Sequence, residues 1–436
     1  MAKGGRPTVA ATVGSLADAM FGGQLSVRVE FWDASALGPP VPPAPGTLQV
    51  RRPDALRRLM WRPGELGLAS AYVAGDLDVD GDIFEVLAAL LPVTSRGMRL
   101  GWSSLPAGLR TALRLGLVRR PLPAPPEEAR PRGGLHSLRR DASVISHHYD
   151  VGNDFYRLIL GPSMTYSCAR FADGSVDLAA AQVSKHELIC RKLGVDGRPG
   201  VRLLDVGCGW GSMAIHAALH HDVTVVGITI SRAQADLARK RVAEAGVADR
   251  VGIRLQDYRE LGGERFDAIS SIGMSEHVGA ERLADYYGVL RNALAPQGRL
   301  LNHAISSVGG LRIGSDTFIG RYVFPDGELI DVGDSVLAME RAGFQVRDVE
   351  SLREHYATTL RAWVANLDAR WDEAVDLVGI GRTRVWRLYM AASAVNFEAG
   401  RFDIHQVLGV VPDEEGASGM PATRRAWDAT PAGPAA

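Results

Sequence analysis

The chain has 436 residues, 46% hydrophobic and 23% charged, which suits a globular protein of more than one domain. Lysine and arginine number 49 against 50 acidic residues, and the net charge of −1 excludes the basic balance of a nucleic-acid-binding chain. Only Cys168, Cys190 and Cys208 carry thiols, with no CxxC spacing, which argues against a disulfide framework or a zinc module and suits a reducing compartment.

The first residues lack the apolar centre of a signal peptide, and no run approaches the ~20 apolar residues of a spanning helix. The best, Ile83 to Leu91, contains Glu85. The expectation is a cytoplasmic protein. In the N-terminal region Leu25 to Phe31 alternates as a half-buried strand, and Leu48 to Val50 is its candidate partner. Gly38 to Gly46 reads as a loop. Pro53 to Trp61 reads as a helix with proline in its first turn, followed by helices over Gly67 to Val73 and Asp82 to Leu91. The prediction is a small α+β domain over 1–118.

Neutrality hides local charge. Ten arginines between Arg96 and Arg140 (96, 99, 110, 114, 119, 120, 130, 132, 139 and 140) face only Glu127 and Glu128, a net +8. Within this stretch Trp102, Leu105, Leu109, Leu113 and Leu117 recur at helical spacing, with Arg110 and Arg114 between them. Two readings stand: a core-packed helix with a solvated basic face, or a surface that docks on anionic lipid headgroups. No groove-reading motif accompanies the charge, so nucleic acid is not an expected partner. Arg119 to Gly134, rich in proline and arginine, reads as an extended linker over 119–134.

From Val201 strands and helices alternate. Strands are predicted over Val201–Val206, Val223–Ile228, Val251–Leu255, Phe266–Ile272 and Arg299–Ile305, with helices over Gly211–Leu219, Ser231–Ala245 and Ala280–Leu294. The fold class is α/β, a doubly wound, mostly parallel sheet whose ligands bind at the carboxyl ends of its strands. The tail over 412–436 reads as disordered.

The first strand ends in Asp205-Val206-Gly207-Cys208-Gly209-Trp210-Gly211. Glycines there let backbone approach a ligand closely. A lone GxGxG serves several nucleosides, but three details favour S-adenosylmethionine. Asp205 precedes the glycines and can face a cationic amino-acid portion; the spacing is not GxGxxG; and Gln256-Asp257 follow the third strand, where they can bind an adenine amino group. The second strand ends without the carboxylate that often grips ribose hydroxyls, which leaves Thr229 or Gln234 to replace it.

Further motifs accompany this turn: Ser146-His147-His148-Tyr149-Asp150-Val151-Gly152-Asn153-Asp154-Phe155-Tyr156, Met164-Thr165-Tyr166-Ser167-Cys168-Ala169, Gly227 to Ser231, Gln256 to Arg259, Gly273 to Gly279 around Glu276-His277, Phe318 to Pro325, and Tyr356 to Trp363. In order and spacing the chain resembles the cyclopropane-fatty-acyl-phospholipid synthase family, which includes the mycolic acid cyclopropane synthases and a tuberculostearic, 10-methylene branch. The resemblance covers roughly Leu135 to Val411, so the methyltransferase domain is expected over 135–411. Glu65 to Gly81 resembles the N-terminal domain of longer members.

The resemblance implies a class I methyltransferase fold and one-carbon transfer from S-adenosylmethionine to the cis double bond of a phospholipid acyl chain. It implies a cofactor site that includes Tyr166, Ser167, Asp205, Gly207, Gly209, Thr229, Ile230, Gln234, Gln256 and Asp257. It further implies a bicarbonate ion held by Cys168, Glu276, His303, a backbone group of Ile305, and Tyr356. These residue types suit the chemistry: a carbocation needs a closed apolar pocket, aromatic faces and a nearby base. Tyr149, Phe155, Tyr166 and Tyr322 are candidate lining residues. Cys190 and Cys208 read as structural, His220-His221 as an exposed helix end, and His147-His148 lack a third metal ligand, so no metal is expected.

The expected partner is an unsaturated phospholipid of the oleoyl type at an anionic membrane surface, on the inner face of the cell membrane. The product is a cyclopropane or a methylene; the arginine- and alanine-rich composition inclines the reading to methylene, which needs a separate reductase to become methyl. Two rivals are a methyltransferase for a soluble small molecule and a non-catalytic lipid- or cofactor-binding scaffold. The sequence leaves a homo-oligomer open.

Overall fold

A computed structural model describes residues 7–21, 25–95, 105–129, 151–174, 177–196, 198–310, 314, 317–325 and 327–425. Tyr149, His147, His148, Trp102 and the arginines at 96, 99, 130, 132, 139 and 140 lie outside the described residues. The chain divides into two compact units. One comprises 1–130, 314–325 and 371–395, and the other 131–313, 326–370 and 396–436.

The first unit is built on a four-stranded sheet. Strands β1 (Arg28–Phe31), β2 (Ala36–Leu37), β3 (Gly46–Val50) and β4 (Leu77–Gly81) lie in the order β2-β1-β3-β4. The expected pairing of the first strand with Leu48–Val50 is present and parallel, and β4 pairs antiparallel with β3. Helix Pro53–Trp61 has the predicted bounds, with proline at its start and Asp54 in its first turn. Phe31, Leu48, Val50, Ala55, Ala71, Tyr72, Leu77 and Val86 share its core.

Two later segments belong to this unit and were not assigned to it from sequence. Tyr322 is buried with its hydroxyl 3.0 Å from Ser70 Oγ. Arg384 donates to the Tyr72 carbonyl (2.9 Å) and pairs with Asp78 at 2.8 Å. The described part of the expected linker is also strapped down. Trp61 Nε1 donates to the Arg119 carbonyl (3.0 Å), Arg58 to that of Pro123 (2.9 Å), and buried Glu128 pairs with Arg62 at 2.9 Å. Proline-rich backbone leaves carbonyls free, and the arginines of helix 53–61 satisfy them.

The second unit holds a seven-stranded sheet of β5 (Val201–Val206), β6 (Val223–Thr229), β7 (Val251–Leu255), β8 (Phe266–Ile272), β9 (Leu294–Ser307), β10 (Gln345–Ser351) and β11 (Phe402–Val410). Its order is β10-β11-β9-β8-β5-β6-β7, parallel except for β11. The first four of these strands were predicted within a residue, and the fifth is longer than expected at both ends. Strands β10 and β11 were not read from the sequence. In β10 only Asp348 is buried, so its pattern carries no apolar signal.

Helix Leu178–Leu193 is capped by Asp177, whose carboxylate accepts from Ala179 N (2.8 Å) and Ala180 N (3.3 Å), and it ends at Gly194 with φ 67°. Ser231 caps helix Arg232–Glu244 as expected. Two apolar layers, around Leu203 and Val225 on one side and Leu204 and Ile269 on the other, cover the sheet. The expected disordered tail is, over 412–425, fastened to this sheet. Gln297 donates to Asp413 (2.6 Å), Arg299 to the Gly419 carbonyl (3.1 Å), and Arg424 pairs with Asp348 at 2.5 Å. Its polar composition gave no sign of this because the anchors are charged groups far away in sequence.

Lys192 is fully buried and pairs with buried Asp348 at 3.0 Å and with Glu350. Removing one member of a buried pair leaves the other uncompensated. Lys192→Met should cost about 3–5 kcal/mol. The same change at exposed Lys240, which faces Glu244 at 3.7 Å, should cost only ~0.3–0.5 kcal/mol. Thermal denaturation of the two variants beside the parent checks the contrast.

Candidate active site

Chain order reverses between β5 and β8, which lie side by side while β6 and β9 flank them. The carboxyl ends of β5 and β8 therefore open at the switch point where doubly wound sheets bind ligands. Asp205 and Ser270 are register partners across these strands. Ser270 Oγ donates to Asp205 Oδ1 at 2.8 Å, and Oδ2 is buried with no partner among the described residues. Burial raises the Asp205 carboxyl to about 6, against the opposing pull of Ser270 and Lys185. Gly207 follows with φ 70°, and a Cβ there would meet Met274 Sδ at 2.3 Å, so both its conformation and its surroundings require glycine.

Around this turn the structure brings together most of the expected cofactor residues. Ser167 accepts from Lys185 Nζ at 3.0 Å through its hydroxyl, and from Gln182 at 2.9 Å through its carbonyl. The Tyr166 ring lies 5.5 Å from Tyr156 and 5.3 Å from Trp363, while Tyr156 stands 4.7 Å from Trp210. Gly209 belongs to the same turn, with φ 53°. Thr229 donates to Gln234 Oε1 at 2.9 Å, so the two residues expected to replace the ribose carboxylate form one hydrogen-bonded pair at the end of β6. Ile230 next to them is 37% exposed and offers an apolar face. Gln256 N donates to the Thr229 carbonyl (3.0 Å), which joins the ends of β6 and β7. Asp257 is otherwise occupied: Arg259 donates to both its oxygens at 2.8 Å. Burial works to raise its carboxyl, but these bonds outweigh it and hold it below the usual range.

The expected catalytic residues sit on the β8–β9 side. Glu276 lies in the short helix Ser275–Val278 just after β8. Its Oε1 accepts from Ile305 N at 2.8 Å, and Oε2 is buried without a partner among the described residues. Burial raises this carboxyl to about 7, against the Ile305 hydrogen bond. Ile305 is two residues from His303 along β9, on the same face of the strand. His303 is buried, and neither ring nitrogen has a partner among the described residues. Burial first, then the Lys185 charge, holds its imidazole far below the ordinary value. Cys168 Sγ lies 3.7 Å from the Leu352 carbonyl, and burial pushes its thiol up. Ala169 N donates to Thr359 at 3.0 Å and Phe171 N to His355 at 3.1 Å. These bonds fix the Cys168 segment on helix Arg353–Ala369, whose first turn carries Tyr356. The Tyr356 ring packs against Phe397 at 4.8 Å and edge-on to Trp363 at 6.0 Å. Phe155 is buried as expected of a lining residue.

One residue escaped the sequence reading. Lys185 is completely buried, and burial pulls its amine down to about 7, with the charges of Cys168 and Asp205 opposing. Its signal was available, since Ala181, Lys185 and Leu188 fall at helical spacing on the buried face of helix 178–193.

Residues 136–407 match the family model described as mycolic acid cyclopropane synthetase. The chain belongs to this family. It is 41% identical over 418 residues to a probable fatty acid methyltransferase of Mycobacterium tuberculosis, covering 92% of this chain and 94% of the relative. It is 35% identical over 367 residues to the cyclopropane-fatty-acyl-phospholipid synthase of Escherichia coli, covering 84% and 88%. Among solved structures, mycolic acid cyclopropane synthase CmaA1 complexed with SAH and CTAB is similar with a TM-score of 0.58 and 33% identity, covering 62% of this chain and 97% of that one. The protein is thus an S-adenosylmethionine-dependent methyltransferase of the fatty-acid-modifying family, with the class I fold.

Its buried, half-partnered Asp205 suits the cationic amino-acid end of that cofactor. A cation beside Asp205 favours the carboxylate, so binding below about pH 6 must release a proton. Affinity for S-adenosylmethionine should therefore strengthen as pH rises through about 6 and level off above it. Asp205→Asn should weaken binding and flatten this profile, as read by calorimetric titration from pH 5 to 8.

Proposed function

We propose that this protein transfers a one-carbon unit from S-adenosylmethionine to the cis double bond of an unsaturated, oleoyl-type phospholipid acyl chain. The observation that carries the reading is the Glu276 carboxyl: buried, held to about 7, with one oxygen fixed by Ile305 beside His303 and the other free. Bound S-adenosylmethionine supplies the electrophilic methyl. An alkene is a weak nucleophile, so the chain's own residues must hold the reacting carbons in line. Attack by the double bond leaves a cation on the acyl chain, which water would capture. Buried Tyr156, Trp210 and Trp363, with partly buried Tyr166 between them, exclude water and present aromatic faces to positive charge. Glu276, ionised above about 7, is placed to take the departing proton. A proton lost from the transferred methyl leaves its electron pair to close a cyclopropane. A hydride shift followed by the same loss gives the methylene, the product favoured here, which a separate reductase would carry on to the methyl.

Bicarbonate fits the same residues as the base. Among the described residues Glu276 Oε2 and both His303 nitrogens are buried and unpartnered, and Cys168 lies against the Leu352 carbonyl at the start of the helix that carries Tyr356. The Ile305 N–H, however, is already bonded to Glu276, so an anion would share or displace that contact.

Docking on anionic phospholipid at the inner face of the cell membrane is supported by helix Leu105–Arg114. Leu109 and Leu113 are 58% and 62% exposed, in line with exposed Arg110 and Arg114, and Arg119 and Arg120 follow. Thr111 and Ala112 turn inward instead, and Thr111 Oγ1 donates to the Thr12 carbonyl at 3.2 Å. Leu109 and Leu113 thus stay outside the core that Leu117 joins. Apolar side chains beside cations suit a charged lipid surface. Among the described residues no helix is long and apolar enough to cross a membrane.

Glu276→Gln should lower turnover by about 10²–10⁴-fold while leaving cofactor affinity near that of the parent. The assay is labelled cofactor with oleoyl phospholipid, with mass spectrometry and NMR separating ring from methylene. Unchanged turnover would overturn the assignment, and activity on soluble acceptors alone would favour the small-molecule reading. Separately, replacing Arg110, Arg114, Arg119 and Arg120 by serine should weaken sedimentation with anionic vesicles at low salt and leave turnover on detergent-dispersed substrate intact.

A further inference from the structure

At the end of the second unit away from the reaction centre, four side chains of metal-ligand type converge. Helix Ser212–His220 runs back from the glycine turn to the amino edge of the sheet, where His221 leads into β6. The expectation of an exposed helix end holds for His220 but not for His221, which is half-buried against helix 178–193. Cys190 Sγ and one ring nitrogen each of His216 and His221 lie within 4.8 Å of one another. The Nε2 atoms of His216 and His221 stand 3.4 Å and 3.1 Å from the same carboxylate oxygen, Glu187 Oε2.

We propose that Glu187, Cys190, His216 and His221 form a binding site for one divalent transition-metal ion of the zinc class. The spacing is that of a coordination shell. A tetrahedral ion with bonds of about 2.0–2.3 Å sets its ligand atoms about 3.3–3.8 Å apart. The carboxylate oxygen holds that distance from His216 at 3.4 Å and stands slightly inside it from His221 at 3.1 Å, so a small opening of the second contact and rotation of the Cys190 side chain complete the shell. Glu187 and Cys190 are three residues apart and share one helix face. His221 lies just past a helix end, in extended backbone with φ −133°, where its ring can turn back on its neighbour.

The chemistry balances. One carboxylate, one thiolate and two neutral imidazoles cancel the charge of a dication, which a largely buried site requires. Binding releases the thiol proton to solvent, and each imidazole that ligates through Nε2 carries its single proton on Nδ1, so the rings stay neutral. Cysteine with histidine selects zinc over magnesium or calcium. His186 and His220 surround the site, with rings 5.4 Å and 4.5 Å from that of His216. An ion here would clamp helix 178–193, which carries Gln182 and Lys185 to the cofactor site, onto helix 212–220, which follows the glycine turn. That is a structural role, independent of the proposed reaction.

The test uses the full chain without a histidine tag, stripped with chelator and titrated with Zn²⁺ and Co²⁺. The expected result is one equivalent bound, a raised melting temperature, and a Co²⁺ spectrum with intense tetrahedral bands and sulfur-to-metal charge transfer. Loss of an outer partner commonly weakens metal affinity by about 10–100-fold, so His221→Gln, which removes a ligand, should weaken it at least that much. Cys190→Ser should erase the sulfur band. Because Cys190 is fully buried and its variant is the more liable to misfold, Glu187→Gln provides a second, partly exposed position. Binding unchanged in His221→Gln and Glu187→Gln, a Co²⁺ spectrum without sulfur character, or no stoichiometric binding would overturn the proposal and leave a hydrogen-bonded histidine–glutamate cluster.

Discussion

Desolvation at the carboxyl edge of β5 and β8 governs this protein. Asp205, Glu276 and Lys185 are all removed from water, and burial brings their protonation to about 6, 7 and 7. Each can thus exchange a proton near neutrality, which an exposed carboxylate or lysine does not do. The arrangement also costs stability. In the folded state the two carboxyls keep protons that the unfolded chain releases near its ordinary values, so their contribution falls as pH rises from about 4 to about 7. Lys185 binds its proton less well when folded, so its contribution falls as pH drops from about 10.5 toward 7. Both trends meet near neutral pH. The site is held open there against its own electrostatics by the apolar layers of the sheet and by the capped helix 178–193.

The same desolvation explains why the partners are so incomplete. A structural carboxylate or imidazole in a dry interior is normally saturated with hydrogen bonds. Asp205 Oδ2, Glu276 Oε2 and both nitrogens of His303 are not. Asp205 and Glu276 are half-satisfied and His303 is unpartnered among the described residues, which leaves a buried acceptor at the end of β5 facing the cofactor turn and a second set of open groups after β8 and on β9. The backbone supports this division. Gly207 lets the chain pass beneath Met274 on the cofactor side, while β9 pairs along its length with β11 and keeps His303 and Ile305 on one face.

What the sequence revealed follows from where information is local. The five strands β5 to β9 are rich in apolar, largely β-branched or leucine residues, and the glycine turn and Ser231 cap are written in adjacent residues, so they were legible. The cofactor residues Asp205, Gly207, Gly209, Thr229, Gln234, Gln256 and Asp257 were read from the glycine turn and the strand ends, whereas Cys168, Glu276, His303, Ile305 and Tyr356 came from the family resemblance, and Lys185 was passed over although helical spacing put it inside. Strand β10 has a charged, alternating face and no apolar run. The return of 314–325 and 371–395 to the first unit depends on contacts such as Tyr322 with Ser70, separated by most of the chain. The tail was read as loose from composition, yet charged anchors on Arg299 and Asp348 hold it. For the leucines of 105–117 helical spacing left burial and exposure both open, because it does not say which face turns inward: Thr111, Ala112 and Leu117 are buried, whereas Leu109 and Leu113 are exposed.

The choice between ring and methylene is a competition at one carbon skeleton. Both products share the cofactor, the alkene and the cation, and they diverge when either the base removes a methyl proton or a neighbouring hydride migrates first. Aromatic faces beside such a cation prolong it and favour migration, whereas a base close to the methyl shortens its life. Glu276 is restrained on one oxygen by Ile305, so its reach is set by the β8–β9 register and not by side-chain freedom. If Glu276 is the base, as proposed above, selectivity resides in the separation between that carboxylate and the transferred carbon. Residue types alone do not encode it, and so the same motifs are compatible with either outcome.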